Sequence, residues 1–130
     1  AFARKLGCAW AGGSDELPPH ALDAALIFAP AGELVPAALS RVRPGGTVVC
    51  AGIHMSDVPA FPYSLLWKER CVRSVANLTR SDGTAFFEVI AGLRMETRVT
   101  AYALEQANEA LADLRAGTLV GAAVLRMGKE

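Results

Sequence analysis

With 130 residues the chain can bury the core of one compact domain but is too short for two complete ones. Apolar residues make up 52% and charged ones 20%, which excludes a disordered chain. The 13 Lys and Arg balance 13 Asp and Glu, so nothing electrostatic recommends nucleic acid or an anionic membrane as a partner. No apolar run approaches the roughly 20 residues that cross a bilayer, and no signal-peptide pattern opens the chain.

Ala1 to Gly7 has the pattern of an amphipathic helical turn closed by a glycine, without a cap or initiator Met, which predicts a chain cut from a longer one. Cys8-Ala9-Trp10-Ala11, closed by Gly12-Gly13, predicts a short buried strand, and Ser14 to His20 a polar, proline-bearing loop. The near-continuous apolar run Leu22 to Ala29, stopped by Pro30, suits a parallel strand covered on both faces. Val35, Ala38, Leu39 and Val42 share one face of a helix. Pro36 falls in its first turn, Arg41 and Arg43 suit its C-terminal end, and Pro44-Gly45-Gly46 stops it. Thr47 to Gly52 predicts a second buried strand, completing a strand–helix–strand crossover of the right-handed kind.

His54 to Trp67 is a long surface connection, and Cys71 to Val75 alternates apolar and polar as a strand at a sheet margin does. Ser81 or Asp82 can cap a helix whose buried face holds Phe86, Phe87 and Ile90. Arg98 to Tyr102 predicts a strand, and Gly121 to Leu125 a last short one. Between them Leu104, Ala107, Leu111 and Leu114 mark a helix stopped at Gly117. The three cysteines, Cys8, Cys50 and Cys71, are odd in number and scattered, which points to reduced thiols in a cytoplasmic protein. Cys8 and Cys50 lie in apolar runs and are expected in the core.

Taken in order, Leu22 to Gly32 followed by Arg43 to Ile53 resembles strands D and E of the cofactor domain in the zinc-type, medium-chain alcohol dehydrogenase family. Tyr102 to Leu111 and Leu114 to Leu125 resemble that family's closing strand, helix and strand. His54 to Phe61 and Leu65 to Arg70 are similar to one bacterial branch of zinc-binding alcohol dehydrogenases. The resemblance spans essentially the whole chain and rests on order and spacing rather than one motif. It implies a C-terminal portion of an α/β protein: a partial Rossmann-like parallel sheet with flanking helices, then a strand–helix–strand segment. Residues 1–79 would belong to the nicotinamide-cofactor domain and 80–130 would close the catalytic domain.

The same resemblance implies NAD or NADP as cofactor, an alcohol or aldehyde as substrate, and a homodimer formed through strand Cys71–Val75. Residues just past the strand ends would face the nicotinamide: Phe28 and Ala29, then Ala51, Gly52 and Ile53, then Ser74, Val75 and Ala76. Open α/β sheets bind ligands beyond the carboxyl ends of their strands, which agrees with that position. An Ala-Gly after a buried strand is also simply a turn.

Several family features are missing. No Gly-x-Gly-x-x-Gly follows a strand, so the pyrophosphate cradle is absent, as is the residue that would select the ribose 2′ group. No cysteine pair has Cys-x-x-Cys spacing, and zinc is expected only through an upstream portion. Gly121 is followed by Ala122 where many relatives carry an arginine for the pyrophosphate. His54 is the histidine nearest the nicotinamide-facing residues, but Ser56 and Asp57 beside it suggest a wet loop, and His20 is expected to be solvated. The isolated chain is therefore expected to be inactive. Two other functions stay open: a non-catalytic α/β binding or assembly module, and part of a zinc-free quinone or enone reductase.

Overall fold

The apolar weight of the run beginning at Leu22 makes it a strand: in the computed structural model, which describes residues 2–128, β1 spans Leu22–Ile27. A one-turn helix, α1 (Phe2–Lys5), precedes it and stops at Gly7, whose φ of 95° only glycine adopts readily. Then come α2 (Leu34–Leu39), β2 (Val42–Cys50), a 3₁₀ turn at Tyr63–Leu65 and β3 (Cys71–Ser74). The three strands form one parallel sheet in the order β1-β2-β3. Strands and helices thus alternate as the sequence predicts, and the fold is α/β with parallel strands.

The chain divides into two compact units, Ala1–Asn77 and Leu78–Glu130. In the first, Val35, Ala38 and Leu39 of α2 pack against Ile27, Val42 and Val48 of the sheet. Leu39, Val35, Val42 and Val48 are fully buried. Each such side chain contributes about 1.5–3 kcal/mol of transfer free energy.

Five expectations for this unit need correction. The helix ends at Leu39, and Val42 reaches the core from a strand instead; the Leu22 amide donates to the Arg41 carbonyl at 2.9 Å and draws the chain into the sheet early. Pro44-Gly45-Gly46 therefore lies inside β2, as an irregularity: pairing jumps from Leu22–Val42 to Ala24–Thr47. Arg43 serves no helix end; its Nε meets Asp23 Oδ1 at 2.6 Å across the strands, an exposed pair of little net worth. Residues 8–11 form no strand and Cys8 is exposed, because this short apolar run finds no strand to pair with. Cys50 is half-buried against the core. Finally, β1 is covered on one face only, with Leu26 left 62% exposed.

The second unit holds α3 (Arg80–Ile90), β4 (Val99–Ala103), a 3₁₀ turn at Leu104–Gln106, α4 (Ala107–Ala116) and β5 (Ala122–Arg126). β4 and β5 pair in parallel, with α4 as the connection. Gly117 ends α4 in the left-handed conformation at φ 67°, as its sequence position requires. The cap of α3 is Thr79, not Ser81 or Asp82; Asp82 sits three residues on and completes a capping box. Phe86 and Phe87 are exposed and α3 buries none of its residues. A helical period shows which face is apolar but not what covers it. On α4 the buried residue is Ala110, while Leu111 and Leu114 are exposed.

Candidate functional site

Register brings the expected site residues to one edge. Ile27 pairs with Cys50, and Cys50 with Ser74, so the three parallel strands of the first unit end level with one another. Phe28, Ala51 and Val75 each follow at that level, and Ala29, Gly52, Ile53 and Ala76 continue from them. The ladder runs one residue past the strands: Ala51 N–H donates to the Ile27 carbonyl at 2.8 Å, and Val75 N–H to the Cys50 carbonyl at 3.2 Å. Those two amides are spent on the sheet, so the backbone group that Ala51 or Val75 can offer a ligand is a carbonyl.

Apart from the Ser74 hydroxyl the side chains at this edge are apolar, and the large ones are open to solvent: Phe28 is 73%, Ile53 71% and Val75 57% exposed. None of residues 28–29, 51–53 and 74–76 is ionisable. Such an edge suits a flat, uncharged ring better than a phosphate. Gly52 is held close to its neighbours, since a Cβ there would stand 3.0 Å from the Ala29 carbonyl oxygen and 3.2 Å from Met55 Cγ. His54 takes a left-handed φ of 58° and its side chain is exposed; His20 is exposed in its loop.

Two contacts here had no signal in the sequence. The Gly32 amide donates to Ser56 Oγ at 2.9 Å, and the Ser56 amide donates to the Pro30 carbonyl at 3.3 Å. They tie the loop after β2 to the loop after β1. A serine within a 14-residue connection announces no such partner.

A groove of about 800 Å³ in the first unit lies at the opposite end of the sheet, against Pro44, Tyr63, Leu66, Trp67, Lys68, Glu69 and Arg70. Tyr63 and Trp67 meet edge to face there at 5.7 Å. Arg70 is spent on backbone: Nε donates to the Val42 carbonyl at 3.0 Å and Nη1 to the Trp67 carbonyl at 3.1 Å. Ligands of parallel sheets bind at the carboxyl ends, so the edge beyond Ile27, Cys50 and Ser74 has the better claim. Among the described residues no three His, Cys, Asp or Glu side chains gather so as to hold a metal, and no helix is long and apolar enough to cross a membrane.

No family model matches the chain. It is 46% identical over 125 residues to a Mycobacterium tuberculosis protein named Probable alcohol dehydrogenase AdhA, covering 95% of this chain and 36% of that protein. The chain thus spans about a third of the length of this curated relative. Among solved structures, an alcohol dehydrogenase zinc-binding domain protein from Burkholderia ambifaria superposes with a TM-score of 0.73 at 20% identity, over 98% of this chain and 39% of that one. Bacillus subtilis yhfP, crystallised with NAD bound, gives a TM-score of 0.65 at 19% identity, over 85% of this chain and 36% of that one. At such identities the two structures speak for the Rossmann-like fold.

Proposed function

Because the chain belongs to the alcohol dehydrogenase family, we propose that it is the C-terminal portion of an NAD(P)-dependent, zinc-containing enzyme that moves hydride between an alcohol and nicotinamide. Residues 1–79 then supply part of the cofactor domain and 80–130 close the catalytic domain. The observation that carries this reading is the level ending of three parallel strands at Ile27, Cys50 and Ser74, with apolar side chains beyond them. A bound nicotinamide supplies the hydride acceptor. The residues of this edge do the positioning: Phe28, Ile53 and Val75 offer the ring an apolar wall and exclude water. The backbones of Ala29, Ala51, Gly52, Ser74 and Ala76 offer the carboxamide its hydrogen bonds.

In this reading zinc, which would polarise an alkoxide, is held by residues of the rest of the enzyme. β3 lies at a margin of the sheet, which supports a homodimer formed through Cys71–Val75. The compartment that fits three unpaired cysteines is the cytoplasm.

The test has two arms. The 130-residue chain alone should oxidise no alcohol with NAD or NADP, and measurable turnover would overturn its reading as a part. The protein as its native source makes it should bind zinc and NADH or NADPH. A native product that contains neither a metal site nor cofactor affinity would instead favour an α/β module for binding or assembly.

A further inference from the structure

We propose that Ser56 is a positioning residue for the cofactor edge: its hydroxyl latches the loop after β2 onto the loop after β1, so that both lips of the edge hold one geometry. The proposal rests on the cofactor reading above and adds to it a residue whose role no part of that reading requires.

Several features converge on this latch. The Gly32 N–H donates to Ser56 Oγ at 2.9 Å, a link between residues 24 apart in sequence. The Ser56 N–H donates in return to the Pro30 carbonyl at 3.3 Å, so the same serine grips its partner loop with side chain and backbone together. Gly32 itself is buried, and a Cβ there would run into the carbonyl oxygens of Ser56 and Asp57; only glycine lets the two loops approach this closely. On the other side of the latch, Met55 packs against the core of the unit, and His54 turns the chain in the left-handed region at φ 58°.

The consequence reaches the edge through short lengths of backbone. Ser56 stands three residues beyond Ile53, and Gly32 three residues beyond Ala29. Gly52 already sits where a Cβ would be 3.0 Å from the Ala29 oxygen, so the two lips touch at their base and are tied again at Ser56. Between those two ties, Ile53 and Ala29 have little freedom to part. An edge held in this way meets a ligand without first ordering its loops, and preordering of that kind shows as affinity.

The experiment uses the protein as its native source makes it, carrying Ser56→Ala or Ser56→Thr, with NADH and NADPH as titrants. Ser56→Ala should raise the dissociation constant about 2- to 10-fold, the range that one net hydrogen bond is worth. It should also speed hydrogen exchange across residues 30–33 and 53–57. Ser56→Thr keeps the hydroxyl and should restore both. Unchanged affinity in the alanine variant overturns the latch while leaving the cofactor reading intact, and so does weakened binding that threonine fails to rescue. A wild-type protein that binds neither nucleotide sinks the cofactor reading itself, and the latch with it.

Discussion

The Tyr102 hydroxyl donates to Asp113 Oδ2 at 2.8 Å and so joins β4 to α4 within the second unit. Tyr102 is one of the few buried side chains there, and the neighbouring Asp113 carboxylate, with help from burial, holds the phenol above its ordinary value of 10.0. A pKa raised on folding contributes stability that is complete below the ordinary phenol value and lost as pH rises through the folded one. The thermal unfolding midpoint of the wild-type chain should therefore fall above pH 10. Tyr102→Phe should lower the midpoint at neutral pH and flatten that alkaline decline; a decline of equal steepness in the variant would contradict the assignment.

The cap of α3 makes an opposite prediction in acid. Thr79 Oγ1 accepts from the Asp82 amide at 3.2 Å, while the Asp82 carboxylate accepts from the Thr79 amide at 2.7 Å. The Thr79 backbone amide, then its hydroxyl, hold the Asp82 pKa below the ordinary 3.8. Stability from a depressed carboxylate is present above the ordinary value and disappears as pH falls through the folded one. Helicity of α3 should thus decrease below pH 3.8, and Thr79→Ala should destabilise the unit by about 1 kcal/mol at neutral pH. Circular dichroism against pH measures the first, and denaturant unfolding the second.

Leu39 is fully enclosed between α2 and the sheet. Leu39→Ala should cost about 2–5 kcal/mol, because so dense a site cannot collapse around the missing atoms. A loss under about 1 kcal/mol in urea unfolding would mean that the core around Val42 and Val48 is loosely packed.

Two glycines with left-handed φ should respond unequally. A Cβ at Gly117 meets nothing within 4 Å, so Gly117→Ala bears only the conformational penalty, about 1–2 kcal/mol. A Cβ at Gly121 would strike the Arg98 carbonyl oxygen, so Gly121→Ala should lose more and should unpair β4 from β5. Equal thermal midpoints for the two variants would refute this ordering.

A proline at Val72 tests the proposed homodimer. Val72→Pro should turn a dimer into monomers on a sizing column while leaving the helical circular dichroism in place. An unchanged elution volume removes β3 as the pairing strand.

What the sequence made legible was set by local chemistry. The stop at Gly117, the crossover from β1 through α2 to β2, and the end of β1 before Pro30 all follow from turn residues and apolar runs. Residues 28–29, 51–53 and 74–76 could be placed at one edge because strand ends are readable. What escaped depends on partners far along the chain. Nothing local says that Val42 begins a strand instead of ending a helix; its pairing with Leu22 decides that. Likewise Cys8 to Ala11 has strand-like composition but no partner, and Phe86 and Phe87 have a helical face but no cover in their unit. The Gly32–Ser56 contact spans 24 residues and has no periodic signature at all.

The uneven pairing of β1 with β2 has one more consequence. Between the Leu22–Val42 and Ala24–Thr47 pairs, β1 advances by two residues and β2 by five, so Arg43 to Gly46 form a reservoir of spare length at the foot of the sheet. A residue gained or lost there changes only the size of that reservoir and leaves Ile27, Cys50 and Ser74 abreast. The same change between Val48 and Cys50 would turn every later side chain of the strand to the opposite face. Length variation is thus tolerated at one end of β2 and forbidden at the other.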